Sequence, residues 1–301
     1  MSTLPVIAAF DGSPDSLRAL DWAFDAARGR AAPLRVVHVR QYAVRVPADV
    51  AVARLPEPAD DPVLARARAH VAQRADAPAV EYLGPEGTPA VVLPDLGAEA
   101  QVLVLGSRGR GGFARLLLGS NGLAAARDAE CPVVVVPRPG REVDDAPPQE
   151  PGPRVVVGLN VDGPDDAALA FAFQEAALRR ARLQAVAAYP WPVQLWAGAA
   201  GELLPTGIDQ DAVENEARAL AEGFLTPHRR RHPGVRAEAR VVPGDAAANL
   251  VAYSLDAELV VVGRHRRRLL APARLMGSVT HAVLLHAASP VAVVPPAPPE
   301  E

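Results

Sequence analysis

Lysine is absent from this chain of 301 residues, so every one of its 31 lysine-or-arginine positions is arginine. The absence excludes a phosphate loop of the G-x4-G-K-S/T type, a protein-kinase strand lysine and Schiff-base chemistry, because each of these needs a lysine amine. Aromatic residues are also scarce, at 4% of the chain. Any hydrophobic core is therefore built mainly from Ala, Val and Leu.

Cysteine is nearly absent as well. Cys131 is the only one in the sequence, which excludes disulfides within the chain and cysteine-cluster metal sites, and we expect it to be a buried structural thiol. The net charge of −4 and the pI of about 6.0 argue against a general nucleic-acid partner. No uncharged apolar run is long enough to span a membrane, and the first residues lack the charged start of a secretory signal. The sequence therefore predicts a soluble, cytoplasmic protein without a membrane partner.

A glycine-bearing segment follows the apolar run at 102–105. Gly106 and Gly109 are followed, nine residues later, by Gly119 and Ser120, and a helical stretch begins there. A strand, a glycine loop and a helix N-terminus together direct backbone N–H groups at an anion, and we expect Ser120 to cap the helix. The spacing predicts a phosphate loop that uses backbone amides, the Ser120 hydroxyl and an arginine, either Arg108 or Arg110. The alternative is that the glycines only permit a tight turn.

The sequence contains an internal repeat, with two copies of one unit. Asn160 follows Asp11 by 149 positions at matching strand ends, and Pro290 follows Pro132 by 158 positions at the last strands. The segment between the copies is rich in proline and charge, which is typical of a linker. We predict a first domain at 1–138, a linker at 139–153 and a second domain at 154–296.

Short Val-rich runs without alternation are typical of parallel strands that helices cover on both faces. In the first copy we predict strands at 6–10, 34–39, 80–83, 101–105 and 133–136, and helices at 14–28, 62–74, 89–98 and 120–129. In the second copy we predict strands at 155–159, 183–188, 236–241, 259–262 and 291–294, with a long helix at 209–231. The fold class is α/β, with two doubly wound five-stranded parallel-sheet domains in tandem. In such folds ligands bind at the carboxyl ends of the strands, where Asp11 and Gly106 lie.

Three features together resemble the universal stress protein family. They are the segment Ala9-Phe10-Asp11-Gly12-Ser13, the glycine spacing described above, and Cys131-Pro-Val-Val-Val-Val. The duplication resembles the tandem form of that family. The resemblance implies a Rossmann- or flavodoxin-like fold of strand order 3-2-1-4-5, pairing through the last strand of each copy, and a role in stress response. It also implies ATP or another adenine nucleotide as ligand, with or without Mg²⁺, and no strong enzymatic activity.

The resemblance assigns roles to positions of this chain. Asp11 would hold the ribose or the adenine edge, and the backbone of Val39 would meet the adenine. The implied phosphate-binding residues are Gly106, Arg108, Gly109, Gly119 and Ser120, with the amides of Asn121 and Gly122 behind them. Family members often carry Ser or Thr where Gly122 stands, and losing that hydroxyl would weaken phosphate binding by about 1 kcal/mol.

The second copy departs from this pattern. Asn160 stands where Asp11 does, Arg266 replaces the second glycine, and Gly277 lies one position further from Gly263 than the spacing requires. Gly263, Gly277 and Ser278 are kept. We expect the second copy to be a structural partner rather than a second site, and its arginine run at 264–268 to be a solvated loop.

Two other functions stay open. The first is slow ATP hydrolysis or adenylyl chemistry, although the loop at 11–16 lacks the paired glycines of nucleotide alpha-hydrolases and no nucleophile, histidine and carboxylate form an evident set. His38 is expected to be a satisfied interior histidine rather than a base. The second is a nucleotide-free interaction scaffold in which both copies serve dimerisation. Whichever function holds, we expect the last strands at 133–136 and 291–294 to pair antiparallel within one chain as a pseudo-dimer, and a homodimer stays open as a further assembly.

Overall fold

A computed structural model describes residues 3–41, 61–109, 117–143, 146–189, 209–264 and 276–297. Ten strands form one sheet in the order β3-β2-β1-β4-β5-β10-β9-β6-β7-β8. The first five and the last five strands each follow the predicted order 3-2-1-4-5, the second set in mirrored direction. The two doubly wound halves are therefore joined into a single sheet.

The strands of the first copy are β1 Val6–Ala9, β2 Leu34–Val37, β3 Val80–Leu83, β4 Val102–Gly106 and β5 Val133–Val136. Its helices are α1 Pro14–Gly29, α2 Pro62–Val71, α3 Pro89–Asp95 and α4 Ser120–Asp128. The strands of the second copy are β6 Arg154–Gly158, β7 Arg182–Tyr189, β8 Ala237–Pro243, β9 Leu259–Gly263 and β10 Val291–Val294. Its helices are α5 Asp166–Arg179, α6 Gln210–Arg231, α7 Ala246–Ser254 and α8 Ser278–His286.

The joint between the halves is the pairing of β5 with β10. These strands run antiparallel, with Val134 opposite Ala292 and Val135 opposite Val291, whereas every other strand pair in the sheet is parallel. All four residues of β5 are buried. The predicted pairing of the two last strands within one chain is therefore confirmed, and it covers two Val-rich edges that would otherwise template aggregation.

The core lies on both faces of the sheet. Val134 belongs to the cluster beneath α1 and α5, and Val133 and Val135 belong to the cluster beneath α4 and α8. Strands buried on both faces explain the uninterrupted Val runs of the sequence. Some predicted boundaries were wrong by a few residues; for example, β2 ends at Val37 instead of residue 39. One helix, α7, was not predicted at all.

A buried ion cluster also crosses the joint. The carboxylate of Glu175 on α5 is fully buried and forms ion pairs with Arg30, at the end of α1, and with Arg179 one turn further along α5. Burial lowers the pKa of Arg30, while the charge of Glu175 opposes that effect. One carboxylate thus joins arginines from equivalent positions of the two copies.

Candidate functional site

A pocket opens at the carboxyl ends of β1, β2 and β4, where the sequence predicted a ligand site. Six of the nine predicted site residues line it, namely Asp11, Val39, Gly106, Arg108, Gly109 and Asn121. The other three, Gly119, Ser120 and Gly122, lie at the start of α4 beside Asn121 but do not line the pocket. Arg110, the alternative to Arg108, lies outside the described residues.

The turn after β1 places the Asp11 carboxylate. Gly12 has a φ of 79°, a conformation that glycine adopts without strain. Asp11 Oδ1 accepts a hydrogen bond from the Ser13 N–H at 3.0 Å, and Ser13 in turn caps α1 by accepting from the Ser16 N–H at 3.2 Å. The local sequence D-G-S-P therefore fixes both the carboxylate and the start of the first helix.

Gly106 and Gly109 are glycines for different physical reasons. A β-carbon on Gly106 would lie 2.6 Å from the backbone of Asp15, so the first turn of α1 leaves no room for a side chain there. A β-carbon on Gly109 would lie 2.7 Å from Asp11 Oδ2. Neither residue has a positive φ. The nearby Asp11 carboxylate, and not a left-handed backbone, is therefore the reason for a glycine at position 109.

Asp15 is a site-proximal residue that the sequence analysis missed. Its side chain is 2% exposed and is held by Arg18 and by Arg138 Nε at 3.0 Å, and Ser107 Oγ donates to it at 3.3 Å. The carboxylate thereby ties α1 to the start of the glycine loop. The Ser-Pro-Asp at a helix start was visible in the sequence, but its partner Ser107 lies 92 positions away.

Helix α4 begins at the pocket without a side-chain cap. Its N-cap is Gly119, with no side-chain hydrogen bond, so the prediction that Ser120 caps the helix was wrong by one residue. Side chains cap α1, α2, α5, α6 and α7, whereas α3 and α8 also begin without a side-chain cap. The Gly119 N–H donates to the Ser107 carbonyl at 2.8 Å. Among the described residues, a β-carbon on Gly119 would meet nothing closer than 3.7 Å.

His38 follows β2 and pairs with the residue that caps α2. His38 Nδ1 lies 2.6 Å from Asp61 Oδ2, and Asp61 Oδ1 accepts from the Val63 N–H at 2.8 Å. Burial raises the pKa of Asp61, but the hydrogen bonds from His38 and Val63 outweigh it, and the net shift is downward. His38 is thus a partnered histidine, as the sequence analysis expected.

The sequence predicts that Cys131 is a buried structural thiol. Cys131 is buried, and burial raises the pKa of its thiol to about 11, which makes it a poor nucleophile. Within the described ranges, no cluster of three or more His, Cys, Asp or Glu side chains could hold a metal ion. In the same part of the chain, no helix has the length and apolarity needed to cross a bilayer.

The matching position of the second copy is built differently. Asn160 Oδ1 accepts from the Asp162 N–H at 3.2 Å, and a β-carbon on Gly263 would crowd Asp165. Thr280, the counterpart of Gly122, donates its hydroxyl to the Gly263 carbonyl at 2.8 Å. This hydrogen bond joins the end of β9 to α8, so the hydroxyl hydrogen of Thr280 is committed to the fold. Arg266 and the rest of its loop to residue 275 lie outside the described residues.

Comparison with known protein families gives two matches to one family along the chain. The model of the universal stress protein family matches residues 4–137 and again residues 153–295. The chain belongs to the universal stress protein family. The prediction that this chain is a tandem, two-domain member of the family is confirmed.

Individual relatives align along nearly the whole chain. A universal stress protein of Mycobacterium tuberculosis is 36% identical over 303 residues, which cover 96% of this chain and 96% of the relative. Another from the same species is 32% identical over 305 residues, covering 97% and 96%. The crystal structure of a universal stress protein from Archaeoglobus fulgidus superposes with a TM-score of 0.63 at 16% identity, over 97% of this chain and 98% of that one. That likeness supports the fold.

Proposed function

We propose that this universal stress protein binds ATP, in the pocket of its first copy, and acts as a cytoplasmic binding and regulatory protein in stress response. The observation that carries the proposal is the start of α4 together with Asp11 and Arg108, which line the same pocket. The N-cap of α4 is a glycine without a capping side chain, and the described part of the fold leaves room for a β-carbon there. Helix α8 has the same kind of N-cap, but in its copy Asn160 stands in the place of Asp11. A helix N-terminus left open in this way offers N–H donors and a positive dipole end to an external anion.

The remaining parts of the pocket suit the other parts of a nucleotide. The Asp11 carboxylate, held at the end of β1, can accept hydrogen bonds from ribose hydroxyls. Val39, after β2, offers an apolar surface and a backbone edge to a base. Arg108 brings a positive charge to the loop that the α4 amides face. The three groups line one pocket.

Titration calorimetry with ATP on the full chain tests the proposal, with Gly119→Ala as the variant. The observed φ of −78° is accessible to alanine, so the variant should fold, with a loss of about 1 kcal/mol from the poorer N-cap residue. Its methyl group would stand where phosphate must approach, and we expect a loss of at least about tenfold in affinity, which corresponds to about 1.4 kcal/mol.

The second copy supplies the matched control. Gly277 is the N-cap of α8, with a φ of −60° and no side-chain cap, so Gly277→Ala makes the same change at the equivalent helix. We expect the parent's affinity for ATP in this variant. No binding by the parent would favour a nucleotide-free scaffold, and equal losses in the two variants would contradict the placement of the site in the first copy.

A further inference from the structure

Two arginines reach across the joint between the copies and bind helix ends. Arg264 follows β9 of the second copy, and its Nη1 donates to the carbonyls of Arg127 at 2.6 Å and Ala129 at 2.9 Å. It also reaches the Ala126 carbonyl at 3.4 Å. These groups form the last turn of α4, where carbonyls have no partner within the helix. Arg264 is therefore held against α4, and the expectation of a solvated loop was wrong for this residue; positions 265–268 lie outside the described residues.

Arg141 makes the opposite connection. Its Nη1 donates to the carbonyls of Ala287 at 2.8 Å and Leu284 at 3.5 Å, at the end of α8. Ala287 and Leu284 follow Ala129 and Ala126 by 158 positions each, the same interval that separates the last strands. The C-terminal carbonyls of α4 and α8 thus each accept hydrogen bonds from an arginine, at equivalent positions. The arginine at α4 comes from the second copy, and the arginine at α8 comes from the linker.

These contacts are connected to the pocket. The Nη2 of Arg141 donates to the Leu117 carbonyl at 3.1 Å, two residues before Gly119. Burial lowers the pKa of Arg141, and the charge of Arg108 in the pocket wall lowers it further, while Asp15 opposes them. The guanidinium therefore lies within electrostatic reach of the phosphate-facing loop.

Helix α4 is short, so a contact that fixes its C-terminus also restricts the position of its N-terminus. It has only nine residues, about 13 Å at 1.5 Å per residue, and it runs from the pocket to the Arg264 contact. A cation at the helix C-terminus satisfies the free carbonyls and complements the dipole. A helix fixed at that end presents its first N–H groups in one place, which reduces the entropy lost when they bind a ligand.

We propose that Arg264 is a positioning residue for the nucleotide pocket of the first copy. The start of the second copy's altered glycine loop holds the far end of α4, so the geometry of the pocket depends on the pairing of the two copies. This inference rests on the proposed function for its ligand. Because coupling between two equilibria is reciprocal, ATP binding should also strengthen the cross-copy pairing.

The test compares Arg264→Ala with Arg264→Lys and with Arg240→Ala in the full chain. Arg240 lies on β8, at the far edge of the sheet, and pairs with Glu238 at 3.0 Å, so its removal is a matched loss of one charge. We expect Arg264→Ala to weaken ATP binding about fivefold or more, a usual size for coupled sites. The lysine variant should recover part of the loss, because an ammonium still donates to carbonyls. Arg240→Ala should bind like the parent.

Hydrogen exchange of the α4 amides without nucleotide is the second readout. Arg264→Ala should exchange faster than the parent from Leu123 to Ala129, and Arg240→Ala should not. Faster exchange with unchanged ATP affinity would make Arg264 a structural cap only and overturn the proposal. If the parent binds no ATP, the proposed function fails, and with it the coupling; faster exchange would then show only a structural cap. If the alanine variant does not fold, the lysine variant must show intermediate affinity and exchange, and parent-like values would overturn the proposal.

Discussion

A β-carbon on Gly109 would stand 2.7 Å from Oδ2 of Asp11, so the glycine loop after β4 lies directly against the carboxylate after β1. Any side chain at 109 must displace the group that we assign to the ribose. The two positions are therefore one unit of the site, and a change at Gly109 acts on Asp11.

Gly109→Arg should abolish ATP binding while the fold is kept. The new side chain would push the Asp11 carboxylate aside and fill the space near the phosphates. Calorimetry should show no binding, and the circular dichroism spectrum should match that of the parent. Gly29→Arg is the control, because a β-carbon on Gly29 meets nothing within 4 Å. Parent-like affinity in Gly109→Arg would remove Gly109 from the site.

The elements that the sequence predicted best are those in which local pattern and tertiary environment agree. The four valines of β5 are buried on both faces, so an unbroken apolar run identifies the strand, and its match at β10 predicts the pairing. Helix α7 was missed because its short sequence AAANLVAYS carries little amphipathic contrast beyond the cap at Asp245. Strand boundaries shifted because the last residues of a run, such as His38 and Val39, already belong to the edge of the sheet that lines the pocket.

The parts of the site that escaped sequence analysis depend on distant partners. Asp15, Arg141 and Arg264 are ordinary charged residues in the sequence. Their roles arise from Ser107, Ala287 and Ala129, which the sheet brings to them from 92 to 146 positions away. The Asp15 contact depends on the strand order of the first copy, and the other two depend on the pairing of the two copies.

Gly122→Ser should stabilise the first copy. In the second copy the equivalent Thr280 donates to the Gly263 carbonyl at 2.8 Å, and a serine at 122 can make the same bond to Gly106. The bond and the removal of a helical glycine should each contribute about 0.5 to 1 kcal/mol to the free energy of unfolding. The new β-carbon would touch only the flexible end of Leu118, at 3.0 Å. Urea unfolding measures the change, and a loss of stability would contradict the assigned bond.

Glu175→Gln should destabilise the chain strongly. The change leaves the guanidinium groups of Arg30 and Arg179 without their buried carboxylate, and breaking such a pair costs about 3 kcal/mol or more. Glu214→Gln is the control, because Glu214 pairs with Arg218 on an exposed helix face, where a pair contributes less than about 1 kcal/mol. Equal losses in urea unfolding would show that the cluster does not hold the copies together.

The Asp61 carboxylate should make stability depend on acid pH. Its pKa in the fold is below the ordinary value of 3.8, so its contribution is fully present above that value and is lost as the pH falls through the lowered pKa. Asp61→Asn can still cap α2 but cannot carry the charge. The stability difference between parent and variant should therefore shrink as the pH falls below about 4. A difference that grows below about pH 4 would contradict the shift.

The most direct measurement of the central claim is the number of ATP molecules bound per chain. The first copy combines Asp11, Gly109 and the open start of α4, whereas the second has Asn160 in the place of Asp11 and commits Arg264 of its loop to α4. Calorimetry on the full chain should give one ATP per polypeptide, and Asp11→Asn, which installs the second copy's residue, should weaken that binding by at least about tenfold. Two equal sites per chain, or unchanged affinity in Asp11→Asn, would contradict the account.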